Sequence, residues 1–303
     1  MKKFKKVYIE ITNSCNLSCS FCPKTHRKLE FMSVEDFEKV IDKVGDRADN
    51  VYLHVMGEPT AHPDFANIIR VCQQRNIKTN ITTNGTLLKA QGEVILQVAV
   101  RMVSVSLHSF EANSLDENMQ SYLEQVLDFC KKAMESKTIV ELRLWNMDSD
   151  SLYDVNRLNG QIIAYLQDYF QLNFDLSQEL ADKFLKGQSS NSRKHNLKLK
   201  DNIYIGMAEH FQWPDITKSK GEVCEGFCYG LRNQVAILVN GDLVPCCLDS
   251  EGNIVLGNIF SSDLEDILHS ERALRLFDGF SQRRALEPLC QTCGYMKKFT
   301  HKG

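Results

Sequence analysis

Three cysteines, Cys15, Cys19 and Cys22, fall within eight residues of chain in the stretch NSCNLSCSFCPKTHR (13–27). They follow directly on a strand-like segment, KKVYIEIT (5–12). A structural zinc site asks for four ligands, usually as two close pairs, and Cys-x3-Cys-x2-Cys fits that demand poorly. The spacing suits a cubane iron–sulfur cluster in which three irons take thiolates and one stays open. An open iron can chelate a small molecule. The absent fourth ligand therefore points to a cofactor that supplies it.

Of the eleven cysteines in the 303-residue chain, six more (Cys224, Cys228, Cys246, Cys247, Cys290 and Cys293) crowd into the last 80 residues. Cys72 and Cys130 stand alone in helix-like stretches and read as small buried hydrophobes. The N-terminus, MKKFKKVYIEIT, is basic but lacks the apolar run of a signal peptide. No stretch approaches the length of a membrane span. The expectation is a cytoplasmic protein, where thiols stay reduced and clustered cysteines mean metal or catalysis rather than disulfides. With 36 Lys and Arg against 39 Asp and Glu, the net charge of −3 gives no global attraction to a polyanion. An apolar content of 43% over this length allows one large domain or two modest ones.

The elements that must carry these cysteines follow from the hydrophobic periodicity. Residues 5–12, 50–56, 77–83, 101–107 and 138–145 read as strands. Between them lie helical stretches: MSVEDFEKVIDKV with Ser33 placed as its cap, PDFANIIRVCQQR, a segment after Asn84-Gly85, and LDENMQSYLEQVLDFCKKAM. This βα alternation with short connections argues for a parallel sheet with right-handed crossovers. An open doubly wound sheet and a barrel or partial barrel both fit it.

Beyond residue 150 the alternation weakens. VNRLNGQIIAYLQDYF reads as a helix and IYIGMAEHFQWPD as a strand with its exit. Residues 183–200, with six Lys or Arg and no acid, read as an exposed basic loop, a solvated insertion more than an anion site. QVAILVNGDLVPCC (234–247) has Asn240-Gly241 between two apolar runs, a hairpin pattern. The composition places a barrel domain at 1–221 and a small cysteine-rich domain at 222–303.

EITNSCNLSCSFC (10–22) resembles the signature of the radical S-adenosylmethionine (SAM) superfamily. Further features in the same chain order strengthen the likeness, which covers roughly residues 5–146. MGEPTAHPDF (56–65) resembles the GGEP segment that binds the SAM amino group, with Met56 in place of its first glycine. TTNG (82–85) follows the third strand, and Ser104 and Ser106 on the fourth match polar positions that meet the SAM ribose or carboxylate. Arg143 in ELRLWN is similar to a basic residue that meets the SAM carboxylate, and Phe21 to an aromatic beside adenine. Taken alone, each has a plainer reading, as core, backbone partner or ion-pair member.

The resemblance implies an α/β fold, a partial (β/α)6 TIM-type barrel. It also implies a [4Fe–4S] cluster on Cys15, Cys19 and Cys22, with SAM contacts at Phe21, Gly57, Glu58, Asn84, Ser104, Ser106 and Arg143. The chemistry implied is one-electron cleavage of SAM to a 5′-deoxyadenosyl radical that abstracts a substrate hydrogen. An electron donor such as flavodoxin or ferredoxin is implied as a partner.

Cys228-x12-Gly-x4-Cys246 fits the opening motif of the SPASM extension, and the segment through Cys290-x2-Cys293 is similar to a shortened version of it. The chain ends ten residues after Cys293, so one auxiliary [4Fe–4S] cluster is expected, on Cys228, Cys246, Cys290 and Cys293. Cys224 and Cys247 are left as alternates. Vicinal Cys246 and Cys247 would point apart in an extended strand. A zinc ribbon on the same four cysteines is the competing reading.

Reacting groups of a parallel barrel collect at its C-terminal strand ends. That nominates Glu58, His62, Asn84, His108, Trp145, Asn146, Glu209, His210 and Trp213, with His108 as the candidate catalytic residue. The favoured substrate is a peptide or protein residue. A barrel starting at residue 5 leaves no room ahead of it for a leader-binding domain, so a leader would need a separate partner or be absent. A small metabolite or an RNA base touching the basic loop is the alternative, and a non-catalytic electron-transfer protein the third reading.

Overall fold

The computed structural model describes residues 3–113, 119–145, 157–187, 196–208 and 213–300. In chain order the elements are β1 (Lys6–Ile9), α1 (Val34–Val44), β2 (Val51–Tyr52), α2 (Phe65–Gln74), β3 (Thr79–Thr83), α3 (Leu88–Gln97), β4 (Met102–Ser106), α4 (His108–Glu111), α5 (Met119–Met134) and β5 (Ile139–Leu144). Then come α6 (Arg157–Phe170), α7 (Leu176–Gly187), β6 (Leu197–Lys200), β7 (Ile203–Met207), β8 (Cys224–Glu225), β9 (Gln234–Ile237), β10 (Asp242–Val244) and β11 (Gly257–Asn258). The chain closes with α8 (Leu264–Leu268), α9 (Glu271–Ser281), β12 (Arg284–Ala285), α10 (Pro288–Gln291) and α11 (Gly294–Thr300). These pack as two compact units. One holds residues 1–16, 23–80 and 211–303, and the other residues 17–22 and 81–210.

In the first unit the strand order is β11-β10-β9-β1-β2-β3. β1 pairs in parallel with β2 on one side and with β9 on the other, where Lys6 to Ile9 face Gln234 to Ile237 in register. The NG hairpin forms as the sequence predicts, with β9 and β10 antiparallel and Gly241 at φ +87°, a conformation that favours glycine. The C-terminal hairpin thus continues the sheet that β1 begins. Helix α1 is capped by Ser33, whose Oγ accepts from the Asp36 N–H at 3.1 Å. Its buried face, Phe37, Val40, Ile41 and Val44, follows helical spacing, each side chain contributing about 1.5–3 kcal/mol by burial. Lys43, in the last turn, donates to the carbonyls of Ile259 and Ser262, fastening the helix to the C-terminal segment.

The second unit has the order β4-β5-β7-β6. β4, β5 and β7 run parallel, and β6 closes the edge antiparallel to β7. Helices α3 and α5 pack together at Gly92, where a Cβ would stand 2.8 Å from the Phe129 ring. Six parallel strands, β1 to β5 and β7, succeed one another along the chain with helices between them. The fold class is α/β, a partial (β/α)6 barrel with a cysteine-rich C-terminal segment.

Two expectations need correction. The segment 50–56 yields only a two-residue strand, because from Leu53 its backbone turns into the loop that approaches β1's exit. The basic stretch 183–200 is not one loop: α7 runs to Gly187 and Leu197–Lys200 is an edge strand. Its Leu-Lys-Leu-Lys alternation buries Leu199 and turns the lysines outward, which also guards an edge against further pairing. The middle of that stretch, 188–195, lies outside the described residues.

The first unit is centred on a buried charge. The Glu10 side chain is fully inaccessible and accepts from Arg27 Nη2 at 2.7 Å, the Met56 N–H at 3.1 Å and the Val239 N–H at 3.0 Å. Removing one member of such a pair leaves an uncompensated buried charge. Arg27→Met is therefore expected to destabilise the protein by about 3 kcal/mol. The double variant with Glu10→Gln should recover part of that loss. Urea unfolding of both variants measures this.

Candidate functional site

β1 ends where the chain must turn into the three-cysteine loop, and polar side chains set that turn. Thr12 Oγ1 donates to the Glu30 carbonyl at 2.8 Å, and the Asn13 amide bonds both the Lys28 carbonyl and the Glu30 N–H. The returning strand of the loop is held in this way, and Ser14 presents its carbonyl to the Glu58 N–H at 2.9 Å. Gly57 lies at φ +74°, and a Cβ there would meet the Thr12 carbonyl at 2.5 Å and that of Ser14 at 2.7 Å. Only glycine lets the two backbones approach so closely. Met56 stands outside the left-handed region and is anchored through its N–H to Glu10, so the missing first glycine does not disturb the loop. Glu58 turns its own Oε1 back to the Thr60 N–H and hydroxyl, capping the short turn that follows.

His62 braces this loop. Its Nδ1 accepts from the Asp64 N–H at 3.0 Å, so the proton sits on Nε2, 3.0 Å from the Met32 carbonyl to which it donates. Burial lowers its pKa below the ordinary value. It is a loop support and not a substrate group, as both ring nitrogens are already bonded.

In the second unit Asn84 forms the TTNG turn, its Oδ1 accepting from the Thr86 N–H and hydroxyl. Gly85, at φ +82°, sits beneath Tyr122 and Val126 of α5, while the Tyr122 hydroxyl and the Gln125 amide hold the turn's carbonyls. Ser104 donates to Glu141 Oε2 at 2.8 Å, and Asn196 to Glu141 Oε1 at 2.6 Å. Gly206 leaves room for that pair, since a Cβ would stand 2.7 Å from Asn196 Oδ1. Ser106 accepts at its carbonyl from the Ser109 hydroxyl. The Arg143 guanidinium lies over the Trp145 ring, 3.1 Å from its centroid, with Nη1 3.4 Å from Thr82 Oγ1. His108 is buried at the start of α4, with Nδ1 3.1 Å from the Arg143 carbonyl and 3.3 Å from the Trp145 N–H, so either tautomer finds a partner. The Phe21 ring packs on it at 4.9 Å. Asn146, Glu209 and His210 lie outside the described residues, and Trp213 is half-buried.

None of the eleven cysteines forms a disulfide. Cys15 is exposed, and Cys19 and Cys22 are half-buried, joined by the Cys22 N–H to the Cys19 carbonyl at 3.2 Å. In the first unit Cys228, Cys246, Cys290 and Cys293 come together. Burial pushes the Cys228 thiol up to about 11, and the nearby Cys293 and Cys247 sulfurs push the same way. Burial and the same neighbours, Cys228 and Cys293 among them, raise Cys246 and Cys290 well above the ordinary thiol. Burial and neighbouring sulfurs disfavour the thiolates of Cys228, Cys246 and Cys290, a penalty that binding a cationic centre would offset. Four such sulfurs fit an iron–sulfur cluster, and the three-cysteine loop, with Cys15 exposed, fits one with an open position. Among the described residues no three His, Cys, Asp or Glu side chains converge tightly enough to hold one metal ion.

Cys246 and Cys247 do not lie in an extended strand. β10 ends at Val244, and the Asp249 N–H bonds the Cys246 carbonyl in a turn. That turn sends Cys247 to Tyr8, whose hydroxyl donates to its sulfur. Cys224 lies in β8, paired with Ala285. Cys72 and Cys130 are core residues, pushed up to about 12 by burial. Three functional-looking groups escaped the sequence reading. Glu10 and Tyr8 are single residues within a strand pattern, and Asn113, described below, follows a helix with no motif around it.

The sequence profile of the Radical SAM superfamily matches residues 9–152, and that of an iron–sulfur cluster-binding domain, SPASM, matches residues 228–294. The chain belongs to the radical SAM superfamily. Membership brings a [4Fe–4S] cluster with SAM, and the second domain an auxiliary iron–sulfur cluster. A probable GTP 3′,8-cyclase of Pyrococcus horikoshii is 28% identical over 169 residues, covering 52% of this chain and 53% of that protein. The chain thus spans about half the length of that curated relative. BtrN, solved in complex with AdoMet and 2-DOIA, aligns over 97% of this chain and 94% of its own at 17% identity, TM-score 0.57. SuiB of Streptococcus suis, solved with the precursor peptide SuiA, aligns over 100% of this chain and 74% of its own at 18% identity, TM-score 0.60. At such identities these two bear on the fold alone. Among the described residues no helix is long and apolar enough to cross a membrane.

Two consequences can be measured in this loop. Gly57→Ala adds about 1–2 kcal/mol of left-handed strain to the collision with the carbonyls of Thr12 and Ser14, so thermal unfolding should fall by several degrees and iron loading at the loop with it. For His62, a depressed folded-state pKa means that the unfolded chain binds the proton more readily. Its contribution is complete above the unfolded pKa of about 6.5 and is lost as pH falls through the lower folded value. Unfolding free energy should therefore drop on acidification below about pH 6.5, and His62→Gln should flatten that part of the profile.

Proposed function

We propose that this protein reductively cleaves S-adenosylmethionine and uses the resulting 5′-deoxyadenosyl radical to abstract hydrogen from a peptide or protein residue. The observation that carries the reading is the close backbone contact of the Gly57-Glu58 loop with Thr12 and Ser14, directly ahead of Cys15. It sets the amino-terminal side of a three-thiolate loop beside the backbone of the Gly57-Glu58 loop. Cys15, Cys19 and Cys22 are the residues that would hold the cluster. When bound, that cluster supplies an open iron and one electron. Gly57, Glu58 and Asn84 would position the cofactor by backbone and turn, and Phe21 by an apolar face stacked on His108. Arg143, braced on Trp145, would offer a fixed positive charge to a carboxylate. Ser104 and Ser106 would meet cofactor hydroxyls, and His108 is the substrate-side candidate. Cys228, Cys246, Cys290 and Cys293 would hold the auxiliary cluster, in a functional segment beginning near residue 222 within a protein of the cytoplasm. An acidic electron carrier such as flavodoxin or ferredoxin would deliver the electron.

What favours a peptide is the likeness in fold to SuiB, solved with a precursor peptide. The partial sequence likeness to GTP 3′,8-cyclases favours a small molecule instead. Anaerobically reconstituted protein should hold about eight irons per chain and form 5′-deoxyadenosine from SAM and dithionite. Absence of that product from fully loaded protein sinks the reading. Deuterium transfer from labelled peptides or nucleotides into the product then separates the two substrate classes.

A further inference from the structure

Within the second unit the three-cysteine loop is stitched to the end of α4 by one side chain. Asn113 Oδ1 accepts from the Ser18 N–H at 2.8 Å. Its Nδ2 donates to Cys19 Sγ at 3.1 Å and to the Ser109 carbonyl at 2.6 Å. Beside it, the Ser20 N–H donates to the Ala112 carbonyl at 3.3 Å. The amide orientation is fixed by its partners. A flipped amide would set its NH2 against the Ser18 N–H and its oxygen against the Ser109 carbonyl, two repulsive contacts in place of two bonds. The donor on Cys19 is therefore dictated by the surrounding backbone.

A neutral thiol is a weak acceptor, whereas a thiolate carries charge that an N–H can stabilise. Hydrogen bonds to cluster sulfurs are among the levers that set a cluster's reduction potential. We infer that Asn113 is a positioning residue that raises the reduction potential of the cluster held through Cys19 by donating a hydrogen bond to its sulfur. The inference rests on the cluster assignment proposed above. One electron from an external reductant adds negative charge to the cluster and its sulfurs, so the donor favours the reduced form. Its loss makes that electron harder to add. The neighbouring Ser18 and Ser20 N–H groups go to oxygens.

The test is a redox titration of the reconstituted full-length chain, followed by electron paramagnetic resonance on the signal that responds to SAM. Asn113→Asp keeps an oxygen for the Ser18 N–H and replaces the donor by charge. Asn113→Leu removes both. Both are expected to lower the reduced-to-oxidised ratio at a fixed potential by about tenfold, which is about 59 mV for one electron. The auxiliary signal should stay in place as the internal control. Unshifted midpoints in iron-replete variants overturn the inference. So does loss of iron or of fold from both variants, since the side chain would then be needed for assembly and not for potential. If only Asn113→Leu fails to fold, the isosteric Asn113→Asp decides. A wild-type protein without any SAM-responsive signal would instead remove the cluster assignment itself.

Discussion

Everything in the first unit turns on a carboxylate that has no access to water. Glu10 directly follows β1, and its two oxygens collect an arginine from beyond the cysteine loop, an N–H from the exit of β2 and an N–H from the turn of the C-terminal hairpin. A charge taken out of solvent is tolerable only with its full set of donors in place. Each of the three segments is thereby required by the others. An apolar residue at position 10 could pack as well, yet it would not distinguish the native placement of Arg27, Met56 and Val239 from a near miss. On this reading the charge specifies more than it stabilises.

The same logic of burial sorts the cysteines. Cys72 and Cys130 are deeply buried with no other cysteine among the groups that shift them, and burial keeps each a thiol. Cys228 and Cys293 are buried and Cys246 and Cys290 half-buried, and neighbouring sulfurs raise the cost of ionising Cys228, Cys246 and Cys290. A bound cationic centre would offset that cost. The Cys247 sulfur accepts from the Tyr8 hydroxyl and also lies near enough to Cys228 and Cys246 to act on them.

Most of the frame was legible because it rests on local rules. The Ser33 cap, the helical stripe of α1 and the Asn240-Gly241 turn each state their structure in a few residues. The cysteine spacings and the Gly57 position are equally local, since a carbonyl approach that only glycine permits leaves glycine in the sequence. What stayed hidden are long-range choices. β9 joins β1 in parallel although more than 200 residues separate them, and no local pattern announces a partner. The strand Leu197–Lys200 was masked by its charge, which on an edge strand is protection and in a composition count looks like a loop. Glu10 and Asn113 were hidden for a related reason. A lone polar residue acquires meaning only from the donors and acceptors that the fold brings to it.

That dependence also refines residues the sequence did single out. Ser104 spends its only hydroxyl proton on Glu141, whose other oxygen is held by Asn196. A hydroxyl so engaged retains acceptor capacity and has nothing left to donate. Any ligand group that meets Ser104 must therefore be a donor, as a sugar hydroxyl can be and a carboxylate cannot. Arg143 divides the work in the opposite sense, since a guanidinium only donates and is here held flat on Trp145. Of the ribose and the carboxylate that the family pattern offers to Ser104, the hydroxyl is the one that suits it, while Arg143 keeps the carboxylate that the pattern gives it. Hydrogen-bond direction narrows the Ser104 choice, which residue type alone left open.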